Sequence, residues 1–105
     1  TSTDNNVVST YESLAAVAQQ GKLPLVASDT DSVKRGAIAA LGQNYYDIGR
    51  QTGKLVVRIL KGEKAGAIAP QVGDKLSLTL NPAAAQKQGV TLSPALLKEA
   101  SDTVK

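Results

Sequence analysis

The chain has 105 residues, a net charge of +3, 42% hydrophobic and 20% charged residues, a composition suited to one modest folded core. It contains no His, Cys, Met, Phe or Trp, which excludes an imidazole base, a thiol nucleophile, a disulfide and any His or Cys metal site. No apolar run approaches the roughly 18 residues of a membrane-spanning helix, and the core has to be assembled from Ala, Val, Leu and Ile.

Thr1 to Asn6 are all residues able to cap a helix, and Val7, Val8, Tyr11, Leu14, Ala15 and Ala18 then recur at helical spacing. The pattern predicts a helix over about 6–20, with Ser9 and Glu12 as a competing capping box and Gly21 and Pro24 as its stop. A capping loop with no strand before it suggests part of a longer α/β unit. Pro24 to Ala27 is a short apolar run without alternation, the mark of a strand buried on both faces, and it breaks off into Ser28-Asp29-Thr30-Asp31. Asp31 to Arg35 leaves room for one helical turn, and Gly36 to Leu41, closed by Gly42, reads as a second strand.

Residues 44–61 carry the longest periodic segment. Tyr45, Ile48, Gly49, Thr52, Leu55, Val56, Ile59 and Leu60 share one face, Arg50, Lys54, Arg58 and Lys61 the other, and Gly62 closes the helix. Gly49 and Gly53, one turn apart, suggest close approach of another backbone. Lys75 to Leu80 alternates strictly and predicts an edge strand with one wet face. Asn81-Pro82 opens a short helix to Gln88, ended by Gly89, and Ser93-Pro94 opens a last one to about Thr103. Only two or three strands are visible, few for a self-sufficient sheet.

Two polar constellations carry chemistry. Ser28, Asp29 and Thr30 stand at the carboxyl end of a strand, where open α/β sheets bind ligands, and Asp29 there suits an ammonium group or ligand hydroxyls. A plain helix cap and turn is the structural alternative. Thr3, Asp4 and Asn5 open the first helix, a place that favours an anion such as a carboxylate. A carboxylate beside an anion-favouring helix start matches the two poles of an amino acid. The basic stripe lacks aromatic platforms or a nucleic-acid motif and reads as a solvated face, with an interaction module as its alternative use.

Two resemblances follow from these residues. An apolar strand ending in Asp29-x-Asp31-x-Val33 resembles the haloacid-dehalogenase-like phosphatases, which implies Asp29 as nucleophile and Asp31 as acid or base beside magnesium, but no later acidic pair completes that metal site. More of the chain resembles the C-terminal part of ABC-transporter substrate-binding proteins of the tryptophan and tyrosine uptake type. Val26 to Gly42, Tyr45-Tyr-Asp-Ile-Gly-Arg-Gln-Thr-Gly-Lys54 and Ile59-Leu-Lys-Gly-Glu-Lys64 carry the likeness, with Thr3-Asp4-Asn5. It implies a partial periplasmic-binding-protein type I fold, a Rossmann-like three-layer α/β fragment of a two-lobed protein. Residues 1–41 would belong to the C-terminal lobe, 42–62 to the hinge crossing and a helix of the N-terminal lobe, and 63–105 to a return strand and C-terminal helices. The implied ligand-facing residues are Thr3, Asp4, Asn5, Ser28, Asp29 and Thr30, with Gln43 and Asn44 at the hinge, where the family pattern has Phe-Asp. The implied function is non-enzymatic capture of a solute, an aromatic or other amino acid, outside the cytoplasm for an ABC permease, with no cofactor, metal or nucleic acid. Pairing with the rest of such a protein, or self-association through strands around Leu25 and Ile38, is the expected route to a complete sheet.

Overall fold

The structure, a computed structural model, is described for residues 1–73 and 75–105. It is mixed α/β and divides into two compact units, the first built from Thr1–Gly42 and Ser77–Lys105, the second from Gln43–Leu76.

The first unit opens with α1 (Asn5–Ser9) and α2 (Tyr11–Gly21). Asp4 caps α1, its side chain accepting from the Asn6 N–H. The single helix expected over 6–20 is therefore two, broken at Thr10 (φ −108°, ψ 19°), whose hydroxyl donates to the Asn6 carbonyl at 2.8 Å. A hydroxyl bonded to a carbonyl one turn back is a known source of helix bending. The expected Ser9 capping bond is not formed, since Ser9 Oγ donates to Asn6 O instead. The left-handed residue that ends α2 is Lys22 (φ 53°), one position after Gly21.

Four strands form one sheet in the order β1 (Val26–Ala27), β2 (Ala39–Gln43), β3 (Leu76–Leu80), β4 (Asp102–Thr103). β1 runs parallel to β2 with Val26 opposite Ala39, and β3 parallel to β4 with Thr79 opposite Asp102. Four expectations change here. Val26 is 51% exposed while Leu25 and Ala27 are buried, so β1 is an edge strand covered on one face only. β2 begins three residues later than Gly36, because Gly36 (φ +120°) and the Ala37 N–H bonded to Ser32 O close the preceding turn. β3 lies inside the sheet, and Thr79 is buried along with Leu80. Its outer neighbour β4 falls where helix was expected to run to Thr103; instead α6 (Pro94–Glu99) stops, and the Ser101 and Val104 N–H groups bond to Leu78 and Leu80 carbonyls at 2.8 Å each.

Two clusters form the core. Tyr11, Ala15 and Ala18 of α2 and Val33 of α3 (Asp31–Lys34) pack with Leu25, Ala27, Ala37 and Ala40, while Ala84 and Ala85 of α5 (Pro82–Lys87) pack with Ile38 and, at the margin, Ala39, Val90 and Leu92. Ala39 and Ala40, successive on β2, serve different clusters, as side chains alternating across a strand must. Leu25 and Ile38 are both buried, and the Ile38 N–H bonds to the Leu25 carbonyl at 2.8 Å, so the segments leading into β1 and β2 pair with each other.

Two buried amides tie the layers. Asn81 caps α5 through the Ala84 N–H and donates its own amide to Val33 O, both at 2.9 Å. Gln88, 1% exposed, accepts from the Leu25 N–H at 2.7 Å and donates to Gly36 O at 2.8 Å. Asn81 joins α5 to α3, Gln88 joins the end of α5 to the segments that lead into β1 and β2, and each satisfies groups that would otherwise cost stability when buried.

The second unit is dominated by α4 (Tyr45–Leu60), followed by a 3-10 turn at Ala65–Ala67. Asn44 caps α4, and Gly62 (φ +99°) follows its end as the sequence pattern requires. Gln51 Nε2 reaches Val72 O at 3.1 Å, holding the segment that follows against the helix. No residue of α4 is buried. Ideal Cβ atoms on Gly49 and Gly53 would meet open space, so the backbone contact inferred from their spacing has no partner among the described residues.

Candidate functional site

The carboxyl end of β1 holds Ser28, Asp29 and Thr30, as the sequence predicts for a binding loop. Thr1 runs beside this strand: its nitrogen donates to Val26 O at 2.6 Å and its carbonyl accepts from the Ser28 hydroxyl. This places the segment that leads through Thr3 and Asp4 into α1 next to the loop. Thr3, Asp4 and Asn5 are all exposed.

Asp29 is partly buried, and both its oxygens are engaged. Oδ1 accepts from the Ser32 N–H at 2.8 Å and Oδ2 from the Ser32 hydroxyl at 2.7 Å. Asp29 thus caps the first turn of α3. A carboxylate has room for about four acceptor contacts, so capping leaves capacity on both oxygens for a ligand donor. Behind the loop, Tyr11 is fully buried, with its hydroxyl 3.3 Å from Thr1 Oγ1 and its ring 5.6 Å from the Arg35 guanidinium. Burial raises the Tyr11 phenol above its usual range, the Thr1 hydroxyl opposes this, and the Asp29 charge adds to it. Arg35 in turn pairs with Glu12 through two 2.7 Å contacts and holds that carboxyl down at about 2.

Gly42 explains how the loop lies. An ideal Cβ there would sit 3.1 Å from Ser28 O and 3.4 Å from Asp29 Cα. The loop backbone therefore crosses β2 where no side chain intervenes. Sequence reasoning treats Gly42 as a strand stop and the start of the hinge crossing, and assigns Ser32 no role; the Asp29-x-x-Ser32 spacing of an Asx cap is the signal that points to the latter.

The second unit carries Gln43 and Asn44. The Asn44 side chain accepts from the Tyr46 and Asp47 N–H groups at 2.9 and 3.4 Å, a capping role. The Gln43 side chain covers Gly73, where an added Cβ would lie 2.6 Å from Nε2. On the basic face, Arg58 is neutralised by Glu63 at 2.6 and 2.5 Å, and Arg50 lies 5.9 Å from the Tyr46 ring. The phosphatase reading gains no support: among the described residues no three His, Cys, Asp or Glu side chains gather where a metal ion could be held. Among the described residues no helix is long and apolar enough to cross a membrane.

Comparison with known proteins places these observations. A family model described as ABC transporter substrate binding protein matches residues 1–104. A tyrosine-binding protein from Clostridioides difficile is 34% identical over 79 residues, which are 75% of this chain and 23% of that protein. Among solved structures, a conserved domain protein from Vibrio cholerae superposes with a TM-score of 0.87 at 40% identity, over 98% of this chain and 35% of that one. An ABC domain in complex with L-Trp from Streptococcus pneumonia gives 0.82 at 30% identity, over 97% of this chain and 35% of that one. The chain thus spans 23% to 35% of the length of these proteins.

Proposed function

Since this chain belongs to the ABC transporter substrate binding protein family, we propose that it forms part of the solute-binding component of an importer and helps capture an aromatic amino acid. The observation that carries this reading is the Asp29 carboxylate, pre-oriented at the carboxyl end of β1 in a chain whose relatives include a tyrosine-binding protein and an L-Trp complex. The ligand lies in a cleft between two lobes. Residues 1–41 belong to one lobe, residues 42–62 cross the hinge and add a helix to the other, and residues 63–105 bring a return strand and C-terminal helices. Asp29 meets the ammonium group, while Thr3 and the opening of α1 face the carboxylate. Ser28 and Thr30 add hydrogen bonds. Gln43 and Asn44 act at the hinge, where Asn44 also sets the start of α4. The complete protein works outside the cytoplasm, delivers its solute to an ABC permease and performs no chemistry on it.

The test is calorimetric titration of the intact protein with L-tyrosine, L-tryptophan and a non-aromatic amino acid, beside an assay of magnesium-dependent phosphate-ester hydrolysis. Saturable binding of an aromatic amino acid without turnover is the expected result. Hydrolysis that disappears in Asp29→Asn would replace this reading with the phosphatase one.

A further inference from the structure

The buried floor beneath the candidate loop carries a more specific inference, which rests on the functional reading above. Asp29 is not held by its own backbone alone. Ser32, 1% exposed, grips both carboxylate oxygens, one through its N–H at 2.8 Å and the other through its hydroxyl at 2.7 Å. Two donors from one residue to the two oxygens of another fix the plane of the carboxylate as well as its position, because rotation about the last side-chain torsion breaks one bond or the other. Ser32 itself is locked in place: its carbonyl accepts from the Arg35 and Ala37 N–H groups at 3.1 and 3.2 Å, which close the turn into β2. Gly42 fixes the loop from the other side, since Ser28 O and Asp29 Cα lie 3.1 and 3.4 Å from where a Cβ would stand.

We propose that Ser32 is a positioning residue that aims the Asp29 carboxylate at the ligand's ammonium group, with Gly42 setting the floor on which the loop rests. Ser32 does not touch the solute. It removes the reorientation that a free carboxylate would undergo on binding, the ordinary gain from preorganisation. The loss of its hydroxyl should therefore weaken only ligands that carry an amino group.

The experiment compares L-tryptophan with indole-3-propionate, the same skeleton without the amino group, on the intact protein, by calorimetry with ligand-observed magnetic resonance for the weaker affinities. Ser32→Ala is expected to lower affinity for L-tryptophan about tenfold, the scale of one hydrogen bond to a charged group. Indole-3-propionate should bind parent and variant alike. Gly42→Ala, which moves the loop by a few tenths of an ångström, should show the same selectivity with a smaller factor, and it carries the test should Ser32→Ala not fold. Equal L-tryptophan affinity in parent and Ser32→Ala overturns the assignment, as does an equal loss for both ligands, which marks a purely structural role. A parent protein that binds neither ligand overturns the functional reading itself, a result distinct from either of these.

Discussion

The two units solve the burial problem differently. The first buries Tyr11, Val33 and Leu80 completely and satisfies its buried amides at Asn81 and Gln88, whereas α4, the longest helix of the chain, buries no residue and leaves Leu60 81% exposed. The apolar face of α4 meets no partner among the described residues, whereas in the first unit small residues let helix and sheet approach, and alanines dominate both clusters. The same contrast separates the chemistry. The carboxylate that suits a ligand stands on the packed unit, where its neighbours fix it, and the exposed basic stripe stands on the other.

Core truncation should separate the two units most clearly. Leu80→Ala removes a fully buried side chain between neighbouring strands and should cost about 2 to 5 kcal/mol in denaturant unfolding of this chain. Leu60→Ala should stay within about 0.5 kcal/mol. Near-equal costs would mean that α4 is covered in solution.

The two asparagine caps give the next largest difference. Asn81→Ala loses the α5 cap and takes one donor from Val33 O, which keeps the longer bond from the Gly36 N–H at 3.3 Å, for a cost of roughly 2 kcal/mol. Asn44→Ala loses an exposed cap alone and should cost about 1 kcal/mol, read as a smaller shift in the unfolding midpoint.

Glycine substitutions should differ in sign. Gly36→Ala forces a side chain into φ +120° with its Cβ 2.7 Å from that of Ala15, a strain of about 1 to 3 kcal/mol. Gly53→Ala adds a methyl to open space in a helix interior and should stabilise by about 0.5 to 1 kcal/mol. Thermal melts of the two variants on opposite sides of the parent would sharpen the contrast; shifts in one direction would erase it.

The smallest expected effect is electrostatic and alike in both units. Glu12 titrates at about 2 instead of its ordinary 4.5 because Arg35 bonds its carboxylate, so this pair contributes stability above about pH 4.5 and loses it as pH falls toward 2. Both side chains are exposed enough for solvent to screen the pair. Glu12→Gln should therefore flatten the acid limb of the stability profile only slightly, and Glu63→Gln, opposite Arg58, should do the same.

Helix starts were legible in the sequence because capping is local: Asp4, Asn44, Asn81 and Ser93 each bond N–H groups within three residues of themselves. The position of Asp29 just past the carboxyl end of β1 was legible as well, from an apolar run that ends in a carboxylate. What escaped depends on partners distant in the chain. Asp102 and Thr103 are extended only because β3 offers them a ladder, and β3 is interior for the same reason. Gln88 reads as a polar helix end until Leu25 and Gly36 stand opposite it. Gly42 reads as a strand stop until the Ser28–Asp29 backbone is laid across it.

Under the proposed function, ligand recognition rests on Asp29 of the packed unit and not on the basic stripe. Calorimetry of the intact protein with L-tryptophan, in the parent, Asp29→Ala and Lys54→Ala, is the direct test. Leaving an ammonium group unpaired in a closed site costs roughly 3 to 5 kcal/mol, so Asp29→Ala should lose from about 100-fold to several thousand-fold in affinity while Lys54→Ala matches the parent. Asp29→Ala binding within a factor of a few of the parent would contradict the account.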